Sequence, residues 1–195
     1  MPKPSVTRTI RLDKELDEAI QRIAEDEKVT VNSLVNRSLR KFLDWDFHSD
    51  KLGVVGMPPW MSVELMGKCS ADEARELGKR VATLTRPVIE AMFHEFTFPA
   101  VLKFLRLWGR YEGRYAVEEN AEGNGHLFLI RHDRGPKWSN FYEGFLRRLL
   151  QDGLGLAVKV RVTEDSCLVN FEIEEKSRTG SSTRQFDSNH ASHFS

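Results

Sequence analysis

A chain of 195 residues has room for one medium domain or two small ones. Its 29 lysines and arginines balance 29 aspartates and glutamates, which excludes a polycationic nucleic-acid coat and confines any DNA contact to a local, sequence-directed patch. No apolar run approaches the roughly twenty residues of a membrane span. Met1 to Arg8 lacks the apolar core of a signal peptide, and two cysteines, Cys69 and Cys167, set far apart in sequence, fit a reducing cytoplasm better than a disulfide framework.

Met1 to Val6 reads as a short arm with two prolines. From Thr7 to Leu12 the side chains alternate as in a half-buried strand, Ile10 and Leu12 on one face, Thr7, Thr9 and Arg11 on the other. Asp13 offers an N-cap to a helix striped by Leu16, Ile20, Ile23 and Ala24. Glu27-Lys28-Val29 closes that helix, and Thr30 caps a second one with an apolar stripe of Val31, Leu34, Val35, Leu39, Phe42 and Leu43. Asp46 to Asp50 ends the second helix and reads as a joint between domains.

The strand-helix-helix order of Thr7 to Trp45 resembles the ribbon-helix-helix family of DNA-binding proteins. A segment this short has too little core to fold alone, and a lone strand leaves its backbone groups unpaired. The resemblance implies an intertwined homodimer, or a higher homo-oligomer, whose two paired strands enter the major groove of double-stranded DNA. It assigns base reading to Thr7, Thr9 and Arg11, with Arg11 able to contact guanine through both guanidinium branches. It assigns a phosphate anchor to the start of the second helix, Val31 with Asn32 and Ser33, where free N–H groups and the helix dipole favour an anion. The plainer alternative makes Thr7, Thr9 and Arg11 the solvated face of an edge strand. The first helix is strongly acidic, and basic residues are confined to Lys3, Arg8 and Arg11 near the strand and to Arg37, Arg40 and Lys41 on the second helix.

Beyond the joint, Lys51 to Met57 reads as a short strand stopped by Pro58-Pro59, followed by a short helix from Trp60 to Lys68. Ser70 with Glu73 forms a capping box. A long helix from Ala71 to about Phe96 presents Leu77, Val81, Leu84, Val88, Ile89, Met92 and Phe93 as its inner stripe, with Pro87 kinking or splitting it. Phe98-Pro99 opens another helix, ended by Gly109, with Val101, Leu102, Leu105 and Trp108 inside. Tyr115–Glu119 and His126–His132 pair as a hairpin through Glu122-Gly123-Asn124-Gly125. After a break at Asp133–Pro136, Trp138 to Gln151 is an amphipathic helix turned inward by Phe141, Phe145, Leu146 and Leu149. Leu156–Glu164 and Ser166–Glu174 are two further strands, and Lys176 to Ser195 has the composition of a disordered tail.

The expected class is therefore α+β, with a ribbon-helix-helix over residues 1–48, a helix-and-antiparallel-sheet domain over 49–175 and a tail over 176–195. Two architectures suit the second domain: a ferredoxin-like sensor of the kind found in metal-responsive repressors, and a vinyl-reductase-type ligand-binding domain. The segment GFLRRLLQDGLGLAVKVRVTEDSCLVNFEIE, Gly144 to Glu174, resembles the latter, which implies a small apolar ligand held between helices and sheet. The segment lacks that family's further cysteine, which counts against a cysteine-based metal site.

No nucleophile-base motif, phosphate loop or nucleotide fingerprint is present, so no enzyme is expected and no cofactor is indicated. His126 and His132 share a strand face and, with His94 or Cys167, suggest a metal site; their spacing matches no dense ligand pattern, and ordinary sheet histidines are the competing reading. His190 and His193 belong to the tail. Arg131, His132, Lys137 and Trp138 cluster at a strand-to-helix break, a position suited to an anionic ligand. The competing reading there is a turn capped by Asp133 or Ser139 with Trp138 in the core. Trp60, Trp108, Phe93, Phe128, Phe141 and Phe145 either line an apolar cavity or form plain core. Together these features predict a dimeric, sequence-specific transcriptional regulator with a sensing or oligomerising second domain. The alternative uses the ribbon-helix-helix for dimerisation alone and the second domain for protein interaction.

Overall fold

The computed structural model describes residues 6–54, 56–113, 115–122 and 125–172. Gly123 and Asn124 of the expected hairpin turn, the last two residues of the expected final strand, and the tail lie outside the described residues.

Two short helices come first, α1 (Lys14–Asp26) and α2 (Val31–Lys41). Both start where the sequence places a cap: Asp13 Oδ1 accepts from the Leu16 N–H at 2.8 Å, and Thr30 Oγ1 accepts from the Ser33 N–H at 3.1 Å. Between them Lys28 takes a left-handed conformation, φ 54°, which lets the Val29 N–H reach the Ala24 carbonyl at 2.9 Å and reverses the chain. Thr7 to Leu12 forms no strand. A ladder needs a second strand, and among the described residues no segment of the same chain pairs with this one.

The helical backbone does not stop at Asp46–Asp50 as expected. It passes through a π-helical turn, Phe42–Asp46, into α3 (Phe47–Leu52). It ends only at Gly53, whose φ of 66° is the left-handed C-terminal conformation glycine favours. The cause is Trp45, which is buried between Phe104 and Tyr111, its indole N–H donated to Glu112 Oε1 at 3.2 Å. That anchor holds the segment as a helix against Phe104, Tyr111 and Glu112, and the strand expected over Lys51–Met57 is absent among its described residues.

Four helical elements follow: α4 (Pro59–Gly67), α5 (Ala71–Phe93), α6 (Phe98–Trp108) and a π-helical turn, Gly109–Gly113. The capping box forms as read, with Ser70 and Glu73 each closing on the other's backbone N–H. Pro87 does not split α5. Then come β1 (Ala116–Glu122), β2 (Gly125–Arg131), α7 (Pro136–Leu146), a third π-helical turn (Arg147–Asp152), β3 (Lys159–Val162) and β4 (Ser166–Glu172).

The sheet is antiparallel throughout, in the order β1-β2-β4-β3. Two hairpins meet along β2 and β4, where Phe128 faces Val169 and Ile130 faces Cys167. These four and Phe171 are buried, and the intervening residues turn outward, so one face of the sheet lies under the helices.

The tightest contact is between helices. The buried face of α5 carries Ala74, Gly78, Ala82, Thr85, Ile89 and Met92. A Cβ on Gly78 would collide with the Phe141 carbonyl oxygen and lie 2.9 Å from the Phe145 nitrogen; a Cβ on Gly144 of α7 would collide with the Arg75 carbonyl. The two backbones therefore touch. Of the expected large-residue stripe Ile89 and Met92 are buried, whereas Leu77, Val81, Val88 and Phe93 are only partly buried and Leu84 is 72% exposed. Arg75 pins the crossing, donating to Glu143 Oε2 at 2.9 Å and Asn140 Oδ1 at 2.8 Å.

Gly78→Ala is expected to force the helices apart and cost at least about 2 kcal/mol. Gly67→Ala, where a Cβ meets nothing within 4 Å, is expected to be neutral or slightly stabilising. Urea unfolding of the two variants checks the contrast.

Candidate functional site

The N-terminal candidates are fully presented to solvent. Thr7, Thr9 and Arg11 are exposed, as are Asn32 and Ser33 at the start of α2. The Ser33 N–H is occupied by the Thr30 cap, and the Asn32 side-chain oxygen accepts from Asn36 Nδ2 at 3.1 Å. Arg37 is paired with Glu27 at 2.7 Å and Lys41 with Asp46 at 3.0 Å, which engages two of the three basic residues of α2. The apolar residues around them are exposed as well: Ile10, Leu12, Leu16, Ile23, Val29, Leu39, Phe42, Leu43 and Phe47. Only Ala24 and Leu34 of the helix pair are buried.

The cluster at the β2–α7 break is only partly brought together. His132 is buried against the Tyr142 ring, with Nε2 3.1 Å from Ser139 Oγ; its Nδ1 accepts from the Arg134 N–H at 3.3 Å. That bond fixes the hydrogen on Nε2, so the imidazole is neutral and donates to Ser139. Burial pushes the His132 pKa below the ordinary histidine value, against the opposing pull of Asp165. Arg131 lies on the exposed side, 3.7 Å from Glu118. Lys137 turns away to donate to the Gly67 carbonyl at 2.6 Å, tying α7 to α4. Trp138 packs on Phe141 and Tyr142, under the Arg134 guanidinium.

Of the four ligand candidates, Arg131 and His132 alone border one hollow. Tyr115, Asp133 and Asp165 complete its rim, and the two carboxylates oppose an anionic ligand there. Nearby, the Tyr115 hydroxyl, Arg134 Nε and Trp138 Nε1 are buried without a hydrogen-bond partner among the described residues.

The structure does not bring His126 and His132 together. His126 stacks on Phe171 and meets Glu119 at 3.4 Å, at the far end of β2 from His132, roughly 20 Å away at strand rise. Among the described residues no three His, Cys, Asp or Glu side chains converge. Cys167 faces Ile130 in the core, and burial pushes its thiol up to about 12.

A second concavity was missed by sequence reading. It is an apolar cavity of about 230 Å³ between α5, α6 and the segment that joins the helix pair to the sheet domain. One wall is Trp45, Ser49, Leu52 and Val54; the other is Val81, Leu84, Thr85, Val88 and Met92; Phe104 and Trp108 close the base. Of the six aromatics proposed as cavity lining, Trp108 alone belongs to it. Phe128, Phe141 and Phe145 are buried core, and Trp60 is exposed. The signal that could have found it is Trp45, a large apolar residue at the end of the Thr7–Trp45 segment and outside the apolar stripe of the second helix.

No family model matches the chain, and no curated protein matches it. Among the described residues no helix is long and apolar enough to cross a membrane.

A histidine with a depressed pKa stabilises the fold above its unfolded value, and that contribution is lost as pH falls through the folded value. Lowering pH from 7.5 to 4.5 should therefore destabilise the wild type more than His132→Gln. Thermal unfolding across that range, with NMR titration of the ring, checks it; a His132 that titrates at the ordinary histidine value would refute it.

Proposed function

We propose that the protein is a homodimeric, sequence-specific DNA-binding regulator, in which Thr7 to Leu12 of two chains pair into a ribbon. The observation that carries this reading is the unburied apolar face of the helix pair. The two capped amphipathic helices and the residues flanking them leave nine large apolar residues from Ile10 to Phe47 exposed in one chain. Covering such a face with its own copy is the simplest way to stabilise it.

An intertwined dimer also supplies the missing strand partner. Pairing through Thr7 to Leu12 puts Ile10 and Leu12 inward over the helices and leaves Thr7, Thr9 and Arg11 outward, where a ribbon in the major groove reaches base edges. Asn32 and Ser33, on the first turn of α2, then stand ready to meet the phosphate backbone. The balanced overall charge favours a site-specific over a general DNA contact.

Selection from a random duplex library, followed by titration of the enriched sequence at several salt concentrations, tests the reading. Arg11→Ala should lose about 1–3 kcal/mol of discrimination at one base pair. Leu39→Glu should shift the protein to monomer in sedimentation and lose DNA binding altogether. A dimer that enriches no sequence, or whose Arg11→Ala variant binds as wild type, would leave the helix pair a dimerisation module only.

A further inference from the structure

We propose that the cavity between the joining helix and the α5–α6 pair is a binding site for one small, neutral, apolar molecule. Three features of the site point to that chemistry. First, its lining carries no charged side chain, and three of its four side-chain donors are already hydrogen-bonded within the protein. The Thr85 hydroxyl is donated to the Val81 carbonyl at 2.8 Å, Ser49 Oγ to the Asp46 carbonyl at 3.2 Å, and the Trp45 indole N–H to Glu112. Water entering such a space finds few fixed partners, whereas an apolar molecule gives up little.

Second, the site is deep rather than flat. Trp45, Thr85, Met92 and Phe104 in its walls and base are buried, while Leu52, Val54 and Leu84 at the wall edges are exposed. An apolar cavity near 150 Å³ accepts a benzene, so by proportion about 230 Å³ accepts roughly nine or ten non-hydrogen atoms. That is the size of a medium-chain alcohol or a substituted benzene.

Third, the wall is conformationally special. Trp45 lies in one π-helical turn and hydrogen-bonds to Glu112 in a second, and such turns are frequent at functional sites. An occupant would press on the segment that carries α2. Resting on the regulator reading, the site would therefore bias how the ribbon is presented to DNA. Binding itself stands independently of that reading.

The test uses the full chain without DNA. Trp45 and Trp108 line the site, so 8-bromo-1-octanol should quench tryptophan fluorescence saturably in a Trp60→Phe background, and 1-octanol should compete. Across linear alcohols, affinity should rise about fourfold per methylene up to about eight or nine carbons and then stop rising. Thr85→Met, which fills the base, should weaken binding at least tenfold. If that variant does not fold, Val88→Leu should shorten the longest alcohol accepted. Amide exchange over residues 42–53 should slow when 1-octanol is bound.

Quenching that never saturates, or affinity that keeps rising past dodecanol, would mean surface partitioning and overturn the site. So would binding indifferent to Thr85→Met and Val88→Leu. If cavity variants change the monomer–dimer balance while no alcohol binds, a second copy covers the site and the proposal falls. Saturable binding in a protein that enriches no DNA sequence would keep the site and remove only its link to the ribbon.

Discussion

The sheet domain depends on one contact, the meeting of the α5 and α7 backbones at Gly78 and Gly144. Helices normally pack 8–10 Å apart because side chains hold them off. Here glycine on each side removes that spacer, and Ala74 and Ala82 keep the approach open a turn to either side. The dispersion gained from backbone against backbone is joined by the Arg75–Glu143 and Arg75–Asn140 bonds, which hold the crossing along its length. Everything that packs on α7, including β4 and the buried His132–Ser139 pair, is positioned through this crossing.

That contact also explains where sequence reading failed. Periodicity weighs side chains by apolar size, so Leu77, Val81, Leu84 and Val88 outvoted the small residues on the neighbouring face. Elsewhere the local signals were sufficient. Asp13, Thr30 and Ser70 each cap the helix they were expected to cap, and the four strands lie within a few residues of their expected bounds. Local cues decide these elements, because a cap or a two-residue hairpin is settled by neighbours in sequence. The helix through residues 47–52 was not legible, since its cause is Trp45 reaching Phe104 and Tyr111 from far along the chain.

The candidate sites divide in the same way. The exposed residues near the N-terminus were nameable because alternation over six residues is a local pattern. The cluster Arg131 to Trp138 was nameable as a group but not as a site: Lys137 is spent on the Gly67 carbonyl and Trp138 on the core. The apolar cavity was invisible in sequence because its walls come from three separated segments whose residues each look like ordinary core.

The run from Val31 to Leu52 has a mechanical consequence. It is helical without interruption, and its Phe42–Asp46 turn bonds the Phe47 N–H to the carbonyl five residues back. The extra residue resets the angular phase of the rod, so that Leu39 and Leu43 stay exposed while Trp45 is driven inward. Phase on a helix advances about 100° per residue. A single insertion or deletion in this rod would swing one end out of its seat by more than a quarter turn. A change of seven residues would nearly restore it. The length of the rod is therefore constrained by rotation rather than by reach, and this segment should tolerate substitution on its outer face far better than any change in residue count.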